Sequence, residues 1–199
     1  MFLRKMLEYL LKQCMSSQLS IMTKILNKTE SIIALGSNIP SKHGQPAQLL
    51  AKALEKLGGI SEGIPEASSF FRSKAEGLEP GAPNFLNAVV VITLDDDWSP
   101  IRLLRVLKRF ESELGRWELT GDEKYASTHY HSRAIDLDII TYGSFKIDLP
   151  GLVIPHQRAL NRTFVLEPLA ELRPKMIFPG SDKTVSELKK ALLILKNAR

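Results

Sequence analysis

The chain has 199 residues, 44% of them hydrophobic and 25% charged, the balance of an ordinary globular protein with room for one sizeable domain. A single cysteine, Cys14, excludes an internal disulfide and fits a reducing compartment. No apolar run approaches the roughly 18 residues of a membrane span, so a cytoplasmic chain without a membrane partner is expected.

The net charge of +5 is thinly spread: residues 1–30 carry +3, leaving +2 for the other 169. No dense Lys/Arg run interleaved with aromatics points to nucleic acid. Residues 1–30 differ from the rest of the chain, with Phe2, Leu3, Met6, Leu7, Leu10 and Leu11 at helical spacing before Ser16, Ser17 and Ser20 interrupt the pattern. The segment lacks the long apolar core and cleavage site of a secretory signal. A surface helix, a weak targeting or docking segment, and translated sequence upstream of a start at Met15 or Met22 all stay open. The expectation adopted is a dispensable extension over residues 1–30 and one domain over 31–199.

Residues 31–35 form an apolar strand pattern that ends at Gly36-Ser37-Asn38, a turn signal. Residues 45–57 read as a helix with Leu49, Leu50, Ala53, Leu54 and Leu57 on one face, stopped by Gly58-Gly59. A second strand is expected over 66–71, a Gly/Pro-rich loop over 77–83, and a third strand over 84–94 with Val89-Val90-Val91-Ile92 at its centre. Ser99 and then Pro100 open the next helix, which Gly115 is placed to end. Residues 116–132, about 17 in number, have no steady period, and loops of that length are usually functional or disordered. A strand over 134–142 comes next, with residues 144–148 expected as its hairpin partner after Gly143. A short helix around residues 164–170 and an amphipathic C-terminal helix over 183–196 complete the order βαββαβ plus a helical tail. Two split βαβ units in that order give an α+β, ferredoxin-like arrangement: an antiparallel sheet with helices on one or both faces.

The most informative stretch is Arg133-Ala134-Ile135-Asp136-Leu137-Asp138-Ile139-Ile140. Ile135, Leu137 and Ile139 alternate with Asp136 and Asp138, so one strand face is apolar and the other carries two carboxylates. On a pleated strand such groups lie roughly 7 Å apart, where at an effective dielectric near 20 their repulsion is on the order of 2 kcal/mol. A cation between them relieves that repulsion, and hard oxygen ligands are what Mg²⁺ prefers, commonly beside substrate phosphates. The other reading is a solvated face with ordinary surface charges, and the octapeptide alone leaves both open. Around it stand Lys108 and Glu111, three apart on one helix face near Arg105, then Arg116 at that helix's end, His156 after Pro155, and Asn161-Arg162.

Taken in order, Ile33-Ala34-Leu35-Gly36-Ser37-Asn38, Ser68 to Arg72, Asn84-Phe85-Leu86-Asn87-Ala88, Glu111 to Arg116, Arg133 to Ile140, Ile154-Pro155-His156 and Arg162 to Leu169 resemble one known family. That family is the 6-hydroxymethyl-7,8-dihydropterin pyrophosphokinases of folate biosynthesis, and the resemblance covers about residues 31–180. It implies transfer of diphosphate from ATP, as co-substrate, to the pterin's hydroxymethyl oxygen, giving the pterin diphosphate and AMP. It implies that Asp136 and Asp138 hold two Mg²⁺, that Lys108, Glu111, Ile139 (through its backbone), His156 and Arg162 contact the nucleotide, and that Arg116 and Arg133 act on the phosphates. For the pterin it implies Phe85 and Phe164 as the two stacking faces, Asn87 for edge hydrogen bonds, and contacts from Ser73.

The chain departs from the family pattern at Tyr130-His131-Ser132-Arg133, where Trp-Gly-Pro-Arg is usual, and Tyr130 stands for the tryptophan. The loop before that point is longer than in the shorter members. Ser73-Lys74-Ala75-Glu76 replaces a Thr-x-Pro segment, and Gln157 replaces a residue often aromatic or proline. The partners expected are small molecules, with no nucleic acid, and the chain is expected to be a monomer or weak dimer. Two alternatives compete: a ferredoxin-like RNA-binding module, or a related diphosphokinase acting on another alcohol.

Overall fold

The computed structural model describes residues 28–75, 77–78, 80–116 and 132–197. In chain order, β1 (Thr29–Ser37) is followed by α1 (Pro46–Gly58), the short strands β2 (Glu66–Ala67) and β3 (Phe71–Ser73), β4 (Phe85–Leu94) and α2 (Pro100–Glu113). Then come β5 (Asp136–Tyr142), the hairpin strands β6 (Ile147–Leu149) and β7 (Leu152–Ile154), α3 (Thr163–Leu172) and α4 (Val185–Asn197). The expected extension over 1–30 lies outside the described residues up to residue 27. Beyond that point the structure departs from the expected boundary, because Thr29 and Glu30 already pair with Leu94 and Thr93 as the first rungs of β1.

β1 is central, antiparallel to β4 on one side and β5 on the other, and β2 and β3 both pair antiparallel with the far edge of β4. Helices cover both faces. On one, Ile33, Leu35, Val90, Ile92, Leu137 and Ile139 pack against Leu49, Leu50, Ala53 and Leu57 of α1 and Leu103, Leu107 and Phe110 of α2. On the other, Ile32, Val89, Val91 and Ile140 pack against Val165, Leu166 and Leu169 of α3, with Phe178 and Val185. The helix starts obey their local chemistry: Ser99 Oγ accepts the Arg102 N–H at 3.1 Å, and Gln45 and Gln48 form a reciprocal capping box ahead of α1. Gly115 comes after α2 at φ 90°, a conformation that costs other residues far more than glycine.

Two expected elements differ. The strand expected over 66–71 is broken, because Ser68 Oγ accepts the Val89 N–H at 3.0 Å and Ser69 turns its N–H and hydroxyl to Glu171 at 3.0 and 2.6 Å. The segment after Gly143 does not pair with β5. Instead β6 pairs with β7, since Pro150-Gly151, with Gly151 at φ 81°, supplies a tight turn between them.

The second face is covered unevenly, and this positions the site. Beyond Ile32 and Val91 the same face continues through Ala34 and Gly36 of β1, Asn87 of β4, and Asp138 and Asp136 of β5 in register beside them. There the sheet floors a cavity instead of a core.

Arg173, just after α3, ties that helix to the sheet. Its guanidinium holds Glu66 through two bonds of 2.9 and 2.6 Å and reaches Glu30 at 3.0 Å, and the hydrogen bond from Arg173 keeps the Glu66 carboxyl below its ordinary 4.5. The folded pKa lies below the unfolded one, so this contribution is present at neutral pH and is lost as pH falls through the folded value. Arg173→Ala is therefore expected to melt below the parent at pH 7, and the gap should close in thermal scans taken progressively below pH 4.5. A gap that stays constant across those scans would contradict the assignment.

Candidate active site

The cavity measures about 540 Å³ and is floored by Ala34, Leu35 and Gly36 of β1. Small side chains at Ala34 and Gly36 keep the floor low between the two aspartates on one side and Asn87 on the other. Its walls hold Lys108 from α2, Arg116 beyond that helix, Arg133, Asp136 and Asp138 from the start of β5, and His156 and Arg162 from the approach to α3. Ser73, Phe85, Asn87 and Phe164 line the remainder. Eleven of the thirteen residues expected from sequence thus meet around one cavity: Arg116, Arg133, Lys108, His156, Arg162, Ser73, Phe85, Asn87, Phe164, Asp136 and Asp138.

The other two lie behind the wall. The Ile139 side chain is in the core between the sheet and α1 and α2, and its backbone continues the ladder with Ile33. Glu111 is fully buried and accepts the Leu137 N–H at 2.7 Å. Lys108 Nζ sits 3.0 Å from its carboxylate and Arg116 Nη1 2.6 Å away. Its place is under the site, where it fixes two cations and the backbone of β5. Burial pushes its pKa up, against the pull of Lys108 and Arg116. Lys74, Leu78 and Arg158 also line the cavity without having been expected there. The polar run from His156 to Arg162 carried a signal for Arg158, since the turn Ala159–Asn161 brings its members to one side.

The two carboxylates face the same way, as their alternation required, but their surroundings differ. Asp136 is clamped by Arg116 Nη1 at 2.6 Å and Arg133 Nη1 at 2.8 Å. Burial alone would raise its pKa, and the guanidiniums of Arg133 and Arg116 outweigh it and hold the carboxyl low. Asp138 has its nearest basic groups, His156 Nε2 and Arg162 Nη1, both at 3.7 Å, beyond hydrogen-bonding length. Burial pushes Asp138 up, and the charge of Asp136 adds to the shift. His156 is held by its own N–H donating to Ile140 O at 3.0 Å and by its Nδ1 accepting the Arg158 N–H at 3.1 Å. Burial pulls its pKa down, with Asp138 opposing.

The donor set fits a hard divalent cation. Asp138 is an ionisable carboxylate on the cavity wall with no positive partner at hydrogen-bonding distance, and a cation would stabilise its charged form. Among the described residues no group of three or more His, Cys, Asp or Glu converges on one point. Two carboxylates with phosphate oxygens and water completing the shell is a common way to hold Mg²⁺.

On the opposite side, Asn87 donates its amide protons to Phe71 O at 3.2 Å and Ser73 Oγ at 3.0 Å. That orients the side chain so that its Oδ1 lies over Gly36, where it can accept from a ligand's N–H edge. The Arg162 guanidinium lies 5.3 Å from the centre of the Phe164 ring, linking the cationic wall to the aromatic one. The expected substitution of Tyr130 for a loop tryptophan lies outside the described residues. Among the described residues no helix is long and apolar enough to cross a membrane.

Comparison with known proteins matches residues 32–174 to the family described as 7,8-dihydro-6-hydroxymethylpterin-pyrophosphokinase. A 2-amino-4-hydroxy-6-hydroxymethyldihydropteridine pyrophosphokinase of Haemophilus influenzae is 36% identical over 159 residues, covering 79% of this chain and 89% of the relative. One of Synechocystis is 36% identical over 161 residues, covering 79% of this chain and 73% of the relative. Among solved structures, an HPPK-DHPS protein crystallised in complex with substrates superposes with a TM-score of 0.66 at 11% identity, over 87% of this chain. The match spans 45% of that longer protein.

Proposed function

Because the chain belongs to the 7,8-dihydro-6-hydroxymethylpterin-pyrophosphokinase family, we propose that the cavity beside β5 is where it carries out its pyrophosphokinase reaction of folate biosynthesis. ATP is the diphosphate donor. The pterin's hydroxymethyl oxygen bonds to the β-phosphorus and gives up its proton to water, the bond from that phosphorus to the α–β bridging oxygen breaks, and AMP leaves. The observation that carries this placement is the pair Asp136 and Asp138 on one strand face, ringed by Lys108, Arg116, Arg133, His156 and Arg162 around a single cavity.

Asp136 and Asp138 are the residues that would hold Mg²⁺. Bound there, the metal supplies charge neutralisation on the phosphates and a template for in-line attack. Arg116 and Arg133, already aimed at the metal side of the site, bind phosphate oxygens and offset charge as it develops there. His156, Arg162 and Lys108 orient the nucleotide, and Glu111 holds Lys108 and Arg116 in place from beneath. Asn87 and Ser73 read the edge of the pterin, while Phe85 and Phe164 offer it apolar faces, a use that suits a flat heterocycle. The strand order β2/β3-β4-β1-β5 supports reading the core as two interlocked split βαβ units, the ferredoxin-like arrangement. A cytoplasmic monomer or weak dimer is part of the same reading. An RNA-binding sheet is not favoured, since Asp136 and Asp138 would repel a phosphate backbone.

The deciding experiment tracks AMP. It should form only when ATP, Mg²⁺ and hydroxymethyl-dihydropterin are all present. Release of inorganic phosphate without AMP, or AMP formation indifferent to the pterin, would overturn the reading. A panel of other alcohols in place of the pterin separates a relative with changed substrate choice.

Gly36 offers a narrower check. A Cβ there would stand 3.4 Å from Asn87 Oδ1 and 3.7 Å from Phe85 Cδ1, distances the fold can accept, and the φ is not one reserved for glycine. Gly36→Ala should therefore keep or slightly raise the melting temperature. Its methyl group would stand on the floor where the heterocycle lies, raising KM for the pterin about tenfold and leaving KM for ATP unchanged. Equal effects on both KM values would place the pterin elsewhere.

A further inference from the structure

We infer that Asn38 is a positioning residue for diphosphate transfer, its side-chain amide fastening Arg133 to the segment that precedes β4. Asn38 is the first residue after β1 and is 4% exposed, and it does not line the cavity. Its Oδ1 accepts the Arg133 N–H at 2.7 Å, and its Nδ2 donates to Ser132 Oγ at 3.0 Å and to Pro83 O at 3.1 Å. Its own N–H donates to Arg133 O at 3.2 Å. The residue thus takes both backbone polar groups of Arg133, whose guanidinium then reaches Asp136 Oδ2 at 2.8 Å.

The opposite arm matters as much. Pro83 stands two residues before Phe85, and the same stretch contributes Gly77 and Leu78 to the cavity lining. One short amide therefore connects the wall expected to hold phosphates with the wall expected to hold the pterin. An amide suits this post because its acceptor and one donor serve the Ser132-Arg133 arm while its second donor serves Pro83. A carboxylate or hydroxyl of similar size lacks that combination. Ser37, its neighbour, alternates to the opposite side of the sheet from Gly36, so the turn at 36–38 delivers only Asn38 to both arms.

This inference rests on the proposed reaction, and its test separates the two. AMP production by the parent chain reports on the reaction itself. Asn38→Ala, which removes both arms, is expected to lower kcat about tenfold with little change in the affinity for a nonhydrolysable ATP analogue, the signature of misplaced groups instead of lost binding. On an Arg133→Ala background the same substitution should cost less than about twofold in kcat, because its effect on kcat runs through Arg133. Asn38→Asp keeps an acceptor for the Arg133 N–H and loses the donor to Pro83. It should raise KM for the pterin several-fold and hold kcat within about threefold of the parent, and it carries the test if the alanine variant fails to fold. A full tenfold loss on both backgrounds, or an Asn38→Asp enzyme with parental KM and kcat, would overturn the inference.

Discussion

Asp138→Asn is expected to reduce the rate of AMP formation by about a thousandfold or more and to hold or raise the melting temperature. The rate loss comes from removing one of the two carboxylates that face the proposed cation site, with no neighbour able to replace it. Asp136 is already engaged by two guanidiniums, and Glu111 is buried behind the strand. The stability effect is a matter of sign. Burial and the charge of Asp136 raise the Asp138 pKa in the fold, so its ionised form is a cost at neutral pH that an isosteric amide removes. Initial rates at saturating substrate and a thermal scan of the same preparation check both halves. Turnover within tenfold of the parent would remove Asp138 from the proposed cation site.

Arg133→Ala carries the second large effect. Its guanidinium is expected to contribute about a hundredfold to kcat through charge on the transferring diphosphate. It holds Asp136 Oδ2 at 2.8 Å, on a carboxylate proposed to take a divalent ion. Removing it should therefore tighten binding of Mn²⁺ alone, read by electron paramagnetic resonance, and slow the reaction at the same time. A general disruption of the site would weaken both. If Mn²⁺ binds no more tightly and turnover is intact, Arg133 has no part in the phosphate side of the cavity.

Much of this architecture is legible in local sequence. Strict alternation from Ile135 to Ile139 placed two acids on one face and three aliphatic residues on the other, and the structure keeps that division. Ser99-Pro100 and Gly115 bounded α2 because caps and breakers act within one turn. What escaped depends on partners far along the chain. The gap between β2 and β3 arises from Glu171, over a hundred residues from Ser69. The pairing of β6 with β7 instead of β5 turns on the tight Pro150-Gly151 connection, which outcompetes a longer-range ladder. Glu111 has the same helical phase as Lys108, so periodicity could not tell that one faces the cavity and the other lies beneath β5. Asn38 looked like a turn residue, and its reach to Pro83 and Arg133 exists only once three distant segments converge.

The first rungs of β1 bear on how the protein can be shortened for crystallisation or screening. A version beginning at Ser31 would strip Leu94 and Thr93 of their neighbours. It would also take away the Glu30 carbonyl that receives the Gly143 N–H at 2.8 Å and leave Arg173 with one carboxylate instead of two. Opening at Lys28 spares all three, so three residues separate a trimmed enzyme with an intact sheet margin from one frayed beside its own helix anchor.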